Sequence, residues 1–135
     1  MFDFFAKHKK PLFEGLCDIH NHLLPAIDDG SKSVGMSLKM LEKFDALGFT
    51  SVIPTPHVYQ ELYPNTPTTI KNAFDILTTE TSKIESPKVN SYAAEYMIDE
   101  DFMKNLQTSM PAILLNGEYI LVEITFFSET KRLVE

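Results

Sequence analysis

Three of the four histidines lie in two short motifs that also carry carboxylates. His20 and His22 are two residues apart, so both imidazoles project from the same face of an extended strand. Two such rings can converge on one cation, at metal–nitrogen distances of about 2.0–2.1 Å. The Asp28-Asp29 pair follows in a predicted loop, and either carboxylate could reach a neighbouring ion.

Two further residues come from later segments of the chain. His57 ends the run Thr55-Pro56-His57, and Glu95 lies in a predicted strand, from which it could bridge two ions about 3.5–4 Å apart. Taken singly, Asp28-Asp29-Gly30 is typical of a turn and Glu95 of a solvated strand residue. Their order along the chain favours a metal site, and mixed imidazole and carboxylate ligands suit manganese, iron or zinc.

The segments around these residues alternate between predicted strands and helices. Ser33 is a predicted helix N-cap, Gly48 a helix stop, and Pro67 a first helical residue. Alternating elements indicate βα units around a parallel sheet, with chemistry at the carboxyl ends of the strands. The predicted strands cover 15–20, 50–53, 88–96 and 119–124, the predicted helices 33–47, 67–84 and 99–106, and 59–66 is a predicted loop.

Composition excludes several classes of function. The 135 residues fit one domain, and 19 acidic against 12 basic side chains give a formal charge of -7. Arg132 is the only arginine, so a nucleic-acid-binding surface is not expected. No apolar run reaches the roughly 18–20 residues that span a bilayer, and the first residues have the wrong charge order for a secretory signal.

The single cysteine argues for a reducing compartment and against thiol chemistry. Cys17 has no partner for an internal disulfide, so the cytoplasm is the expected location. A cysteine phosphatase needs an arginine six positions after its cysteine, where this chain has Leu23. Because Cys17 alternates onto the strand face opposite His20, it is predicted to lie in the core.

The run from Asp18 to Ser31, DIHNHLLPAIDDGS, closely resembles the opening motif of the polymerase and histidinol phosphatase (PHP) superfamily. Within it, the sequence is similar to the manganese-dependent tyrosine-protein phosphatases encoded beside bacterial capsule and exopolysaccharide genes. Residues 55–57, 94–97 and 121–124 resemble this family's later motifs, so the resemblance covers about 15–127. It implies an α/β fold of the PHP type, a distorted TIM barrel of parallel (β/α) units.

The resemblance also implies roles for individual residues. His20 and His22 would bind the first metal ion, Glu95 would bridge it to a second, and Asp29 and His57 would hold a third. Glu95, Asp29 and His57 would thereby serve catalysis, and Asp18 would orient a histidine. The implied reaction is phosphotyrosine hydrolysis by metal-activated water, with up to three Mn²⁺ ions. A bacterial tyrosine kinase is the implied phosphoprotein substrate.

Two departures from the family pattern stand out. Ala26 occupies a position where the family commonly has glycine. The family's later His-Pro-Glu-Arg and Asp-x-His motifs do not occur, and Arg132 lies in no such motif. We therefore expect a lead-in over 1–14 and a partial PHP domain over 15–135, with about the first four βα units of the barrel.

Such a partial domain is expected to be weakly active, because fewer ligands would surround the ions. Its uncovered sheet edge favours self-association or pairing with a complementing C-terminal half. Three alternatives stay open at this stage: another PHP phosphoesterase acting on a small substrate such as histidinol phosphate, an amidohydrolase, and a non-catalytic metal-binding fragment.

Overall fold

The computed structural model describes residues 10–82, 84–85, 87–108 and 111–124. Most of the predicted lead-in over 1–14 lies outside these residues, as does Arg132. Strands and helices alternate along the described chain. The elements are β1 (Cys17–Asp18), α1 (Val34–Leu47), β2 (Ser51–Val52), β3 (His57–Val58), α2 (Pro67–Thr81), β4 (Glu95–Met97), α3 (Glu100–Gln107) and β5 (Leu121–Glu123).

All pairings between these strands are parallel. β1 pairs with β2, and β3, β4 and β5 form a second group in that order. Backbone hydrogen bonds continue between the groups, from Thr55 N to Asn21 O at 2.8 Å and from Ala93 N to Pro54 O at 2.9 Å. The α/β class with parallel strands is therefore confirmed.

The strands are shorter than predicted, and proline explains part of the difference. Pro54 and Pro56 have no N–H to donate, so regular pairing stops at Val52 and resumes at His57. His57 thus begins a strand of its own instead of following one. The predicted strand over 88–96 is reduced to β4 and a single bridge between Ser51 and Lys88.

The helices begin and end close to the predicted residues because local capping fixes them. The Ser33 side chain accepts a hydrogen bond from Met36 N, and Gly48 ends α1 in the left-handed conformation, with φ 97°. Thr66 and Thr69 form a capping box that starts α2 at Pro67. None of the helices in the described ranges is long and apolar enough to cross a membrane.

The core lies between α1, α2 and the sheet. Its residues are apolar side chains that the helical and strand periodicities place on inward faces. The buried cluster consists of Leu23, Leu24, Leu41, Val52, Ile70, Ala73, Leu77, Val89, Ala94 and Tyr96. Burying these side chains fixes the sheet against the helices and leaves the carboxyl ends of the strands free to carry polar groups.

The prediction that Cys17 lies in the core is wrong, because its thiol is exposed. The alternation of β1 does place Cys17 opposite the polar residues. However, that face is not covered by the part of the chain that the structure describes, and Ile19, which alternates onto the same face, is also exposed. Periodicity gives the face of a strand, but it does not say whether another layer covers that face.

Candidate metal centre

The two histidines of the first motif lie just after β1, in an irregular segment that Asn21 holds in place. Asn21 N donates to the buried Thr55 Oγ1 at 3.1 Å, and Asn21 Nδ2 donates to Ile53 O at 3.2 Å. These bonds replace regular strand pairing beyond Asp18. In this arrangement, His20 and His22 both reach the same carboxylate, which lies on β4.

That carboxylate belongs to Glu95, which is only 4% exposed. Its Oε1 lies 3.0 Å from His20 Nε2, and its Oε2 lies 3.4 Å from His22 Nε2 and 3.2 Å from His57 Nδ1. Oε2 is buried and forms no hydrogen bond within the described residues. A buried carboxylate oxygen without a donor is costly unless a cation or another donor compensates it.

His57 joins the first motif to two further carboxylates. Its Nε2 lies 3.5 Å from Asp29 Oδ1, and its Nδ1 lies 3.5 Å from Glu123 Oε2. Three groups of ligand atoms result, each with all its atoms within 4.8 Å of one another. The groups are His20 with His22 and Glu95, His22 with Asp29 and His57, and His57 with Glu95 and Glu123.

Asp28 lies behind the cluster and orients it. Its Oδ2 accepts hydrogen bonds from His22 Nδ1 at 2.9 Å and from His57 N at 3.1 Å, and its Oδ1 accepts from Gly30 N at 2.9 Å. Burial opposes ionisation, yet the bonds from His22, Gly30 and His57 lower the pKa of Asp28. The same hydrogen bond raises the pKa of His22 against the effect of burial. With Nδ1 bound to Asp28, His22 Nε2 faces the cluster.

The loop that carries the two aspartates is compact. Gly30 packs so closely on His22 that a Cβ there would collide with the His22 carbonyl oxygen. Ala26 adopts a left-handed conformation, with φ 61°, and its N–H donates to Ser31 O at 2.8 Å. Glycine would take this conformation without strain, whereas alanine pays a conformational free-energy cost in it. The alanine at position 26 is therefore expected to destabilise the loop.

A second loop, residues 59–66, covers His57. The Tyr63 ring stacks on the His57 imidazole, with centroids 5.3 Å apart and planes 10° apart. Asn65 Nδ2 donates to Ile27 O at 2.8 Å and to His57 O at 2.9 Å. This loop therefore contacts both the aspartate loop and His57.

The structure brings together all five residues that the sequence pointed to as metal ligands: His20, His22, Asp29, His57 and Glu95. Whether they act as ligands stays a prediction. Asp18 contacts His20 at the backbone: its Oδ1 accepts hydrogen bonds from His20 N and Asn21 Nδ2, and whether this orients His20 as a ligand stays a prediction. Asp28 orients the ring of His22.

Glu123 is a member of the cluster that sequence reasoning missed. Its signals were an acidic residue inside the apolar run Tyr119 to Ile124 and its position within the family-like motif 121–124, which is interpreted as a core strand. That pattern is also typical of a half-exposed strand, so it did not identify Glu123 as a candidate ligand.

The donor set fits divalent metal ions. Two ligand atoms about 2.1 Å from one ion can be at most about 4.2 Å apart, and the imidazole–carboxylate pairs of the cluster are separated by 3.0–3.9 Å. The unpartnered Glu95 oxygen faces these imidazoles. Fold and site together define an α/β protein with a candidate metal centre of several ions that is formed by neighbouring parallel strands and the loops next to them.

Residues 16–135 match the sequence model of the capsular polysaccharide synthesis family CpsB/CapC, so this chain belongs to that family. This confirms the resemblance to capsule-type phosphatases.

Curated relatives match over most of this chain. It is 31% identical over 111 residues to the tyrosine-protein phosphatase YwqE of Bacillus subtilis strain 168, covering 82% of this chain and 44% of YwqE. It is 24% identical over 116 residues to the tyrosine-protein phosphatase CpsB of Streptococcus agalactiae serotype V, covering 86% of this chain and 48% of CpsB. The chain thus spans less than half the length of these relatives.

A solved structure agrees with the fold. It comes from a study of YwqE from Bacillus subtilis and CpsB from Streptococcus pneumoniae, described as unique metal-dependent tyrosine phosphatases. It superimposes with a TM-score of 0.72 at 28% identity, covering 88% of this chain and 49% of the solved one.

Proposed function

We propose that this chain carries the metal-binding part of a metal-dependent protein-tyrosine phosphatase that regulates capsule or exopolysaccharide synthesis. The observation that carries the proposal is the buried Glu95 Oε2, which faces the imidazoles of His22 and His57 and forms no hydrogen bond with any residue that the structure describes. Family membership and the names of the relatives support the choice of reaction.

Different ligand residues would hold different ions. His20, His22 and Glu95 would hold one ion, Asp29 and His57 another, and Glu95 would bridge to a neighbouring ion with Glu123 beside it. Divalent ions bound there would lower the pKa of water towards neutrality and offset charge on the phosphoryl group.

The surrounding residues would keep this arrangement fixed. Asp28 would hold His22 with its Nε2 facing the cluster, and Glu95 would keep its carboxylate away from bulk water because it is buried. Asp29, whose side chain is 58% exposed, lies on the open side, where a phosphomonoester would approach.

The finer features are part of the same proposal. Manganese suits the imidazole and carboxylate ligands, a tyrosine kinase is the proposed phosphoprotein, and the distorted barrel of PHP proteins is the proposed architecture of the complete domain. The exposed, unpaired thiol of Cys17 fits a reducing compartment such as the cytoplasm. The division at residue 14 likewise remains a proposal.

We expect the isolated chain to turn over slowly and to self-associate or pair with a chain equivalent to the relatives' remaining half. Exposed apolar side chains on and beside β5 support this: Tyr119, Ile120, Val122 and Ile124. Light scattering after size exclusion would test it, and a monomer at all concentrations would count against it.

The decisive experiment measures phosphate release with Mn²⁺ from three substrates: a phosphotyrosine peptide, the matching phosphoserine peptide and histidinol phosphate. The proposal expects the phosphotyrosine peptide to be cleaved fastest, chelation to abolish release, and His57→Ala to reduce it severely. Glu42→Gln, an exposed change on α1, is the matched control. Faster cleavage of histidinol phosphate would favour the small-molecule phosphoesterase, and Mn²⁺ binding without any turnover would favour the non-catalytic fragment.

A further inference from the structure

The side chain of Asn65 links the two segments that carry Asp29 and His57. Its Nδ2 donates both hydrogens, one to Ile27 O at 2.8 Å and one to His57 O at 2.9 Å. Its Oδ1 lies 3.1 Å from Thr69 Oγ1 in the capping box of α2. Since carbonyl oxygens only accept, the amide nitrogen must face Ile27 and His57, which fixes the orientation of the side chain.

A second link joins the same two segments on the other side of His57. Asp28, next to Ile27, accepts a hydrogen bond from His57 N at 3.1 Å. The His57 backbone is thus held at its N–H by Asp28 and at its carbonyl by Asn65. The side chains that these links align, Asp29 and His57, approach to 3.5 Å.

The loop that presents Asn65 is itself held in place. Tyr59 and Tyr63 exchange backbone hydrogen bonds at 2.9 and 2.7 Å, and Asn65 N donates to Tyr63 O at 2.6 Å. The Tyr63 ring covers one face of the His57 imidazole. The amide of Asn65 therefore has a fixed position relative to α2, from which it can align the other two segments.

We propose that Asn65 is a positioning residue that sets the separation of Asp29 and His57, and thereby the affinity of the ion these two residues share. This inference rests on the proposed function, because it takes Asp29 and His57 as ligands. Asn65 contacts neither ligand side chain and acts through the backbone at Ile27 and His57. Two of the three ligand groups contain His57, whereas the group of His20, His22 and Glu95 contains neither Asp29 nor His57. The effect is therefore expected at the sites that include His57 and not at the site formed by that third group.

The test is a titration of the full chain with Mn²⁺ alone, followed by calorimetry and by the electron paramagnetic resonance of free Mn²⁺. Asn65→Ala is expected to weaken one class of sites about tenfold or more, at the lower end of what lost orienting bonds cost. The remaining class should keep its wild-type affinity. Asn72→Ala, the same truncation at an exposed position of α2, is the matched control and should leave every site unchanged.

A purely structural role for Asn65 would give a different pattern. It would lower the melting temperature of the metal-free protein and weaken all sites by a similar factor, which would overturn the proposal. Asn65→Ser, which keeps one donor, is the second variant if Asn65→Ala does not fold, and its loss should be smaller but equally selective. Wild-type affinity in the folded variants also overturns the inference, whereas no Mn²⁺ binding by the wild type overturns the proposed function and this inference with it.

Discussion

Replacing Glu95 by glutamine tests the candidate centre most directly, because this carboxylate belongs to two of the three ligand groups. Glutamine keeps the shape of the side chain but replaces one carboxylate oxygen with a nitrogen that has no lone pair to offer. A ligand that binds only the folded state, present at 100 times its Kd, stabilises that state by about 2.7 kcal/mol. For a chain of this size, that corresponds to a rise in melting temperature of about 8 °C.

The expected loss follows from the same relation. If Glu95→Gln weakens Mn²⁺ binding 100-fold, the stabilisation at the same Mn²⁺ concentration falls to about 0.4 kcal/mol, or roughly 1 °C. Differential scanning calorimetry with and without Mn²⁺ measures both shifts, and the metal-free protein serves as each variant's own reference. Glu42→Gln, which removes an exposed carboxylate from α1, should retain the full shift.

The reasoning would be refuted by a Glu95→Gln variant that keeps the full wild-type response to Mn²⁺. Such a result would show that the buried oxygen takes no part in holding an ion. Absence of any Mn²⁺ response in the wild type would instead remove the basis for assigning a metal centre to these residues.

Three further changes should have separable effects. Ala26→Gly should raise the free energy of unfolding by about 1 kcal/mol, because glycine adopts the left-handed conformation of residue 26 without strain. Ala46→Gly, within α1, should lower the free energy of unfolding by about as much. If urea unfolding shows that both variants change the free energy in the same direction, the prediction is wrong. Tyr96→Phe should cost about 1–2 kcal/mol, since Ile113 N loses its hydrogen bond to the buried hydroxyl; the exposed Tyr119→Phe is the control, and equal midpoints for both would rule the bond out as stabilising. Asp28→Asn should weaken Mn²⁺ binding about 10–100-fold through loss of the charge that orients His22, and unchanged titration curves would show that His22 needs no such partner.

The helices could be predicted from the sequence because their ends depend on neighbouring residues. Ser33, Gly48 and Pro67 fix helix ends by local hydrogen bonds and backbone conformation, which a short stretch of sequence contains in full. The sequence indicates approximately where the strands lie, but not the residues at which they begin and end. Their pairing depends on partners far along the chain, and Pro54 and Pro56 interrupt it.

The residues of the candidate site also fall into some that the sequence predicts and others that depend on the folded chain. The sequence predicts that His20, His22, His57 and Glu95 lie together because parallel strands bring their carboxyl ends to one edge. The four residues do lie together, but His57 and Glu95 begin their strands instead of ending them. The orienting residues could not be predicted, since Asp28 and Asn65 act through hydrogen bonds between loops whose relative position only the folded chain defines. Cys17 was misplaced for a related reason: whether a strand face is covered is a property of the whole fold.

The proposed ligands lie after β1, in the loop that carries Asp29, and at the first residues of β3 and β4, while the strands themselves are only two or three residues long. Ions bound by these residues would link distant segments of the chain. They would add stability that the few backbone hydrogen bonds between such short strands do not provide. Removing the ions with a chelator should therefore destabilise the sheet and speed amide hydrogen exchange next to the ligand residues. Activity and the stability of the sheet would then be lost together.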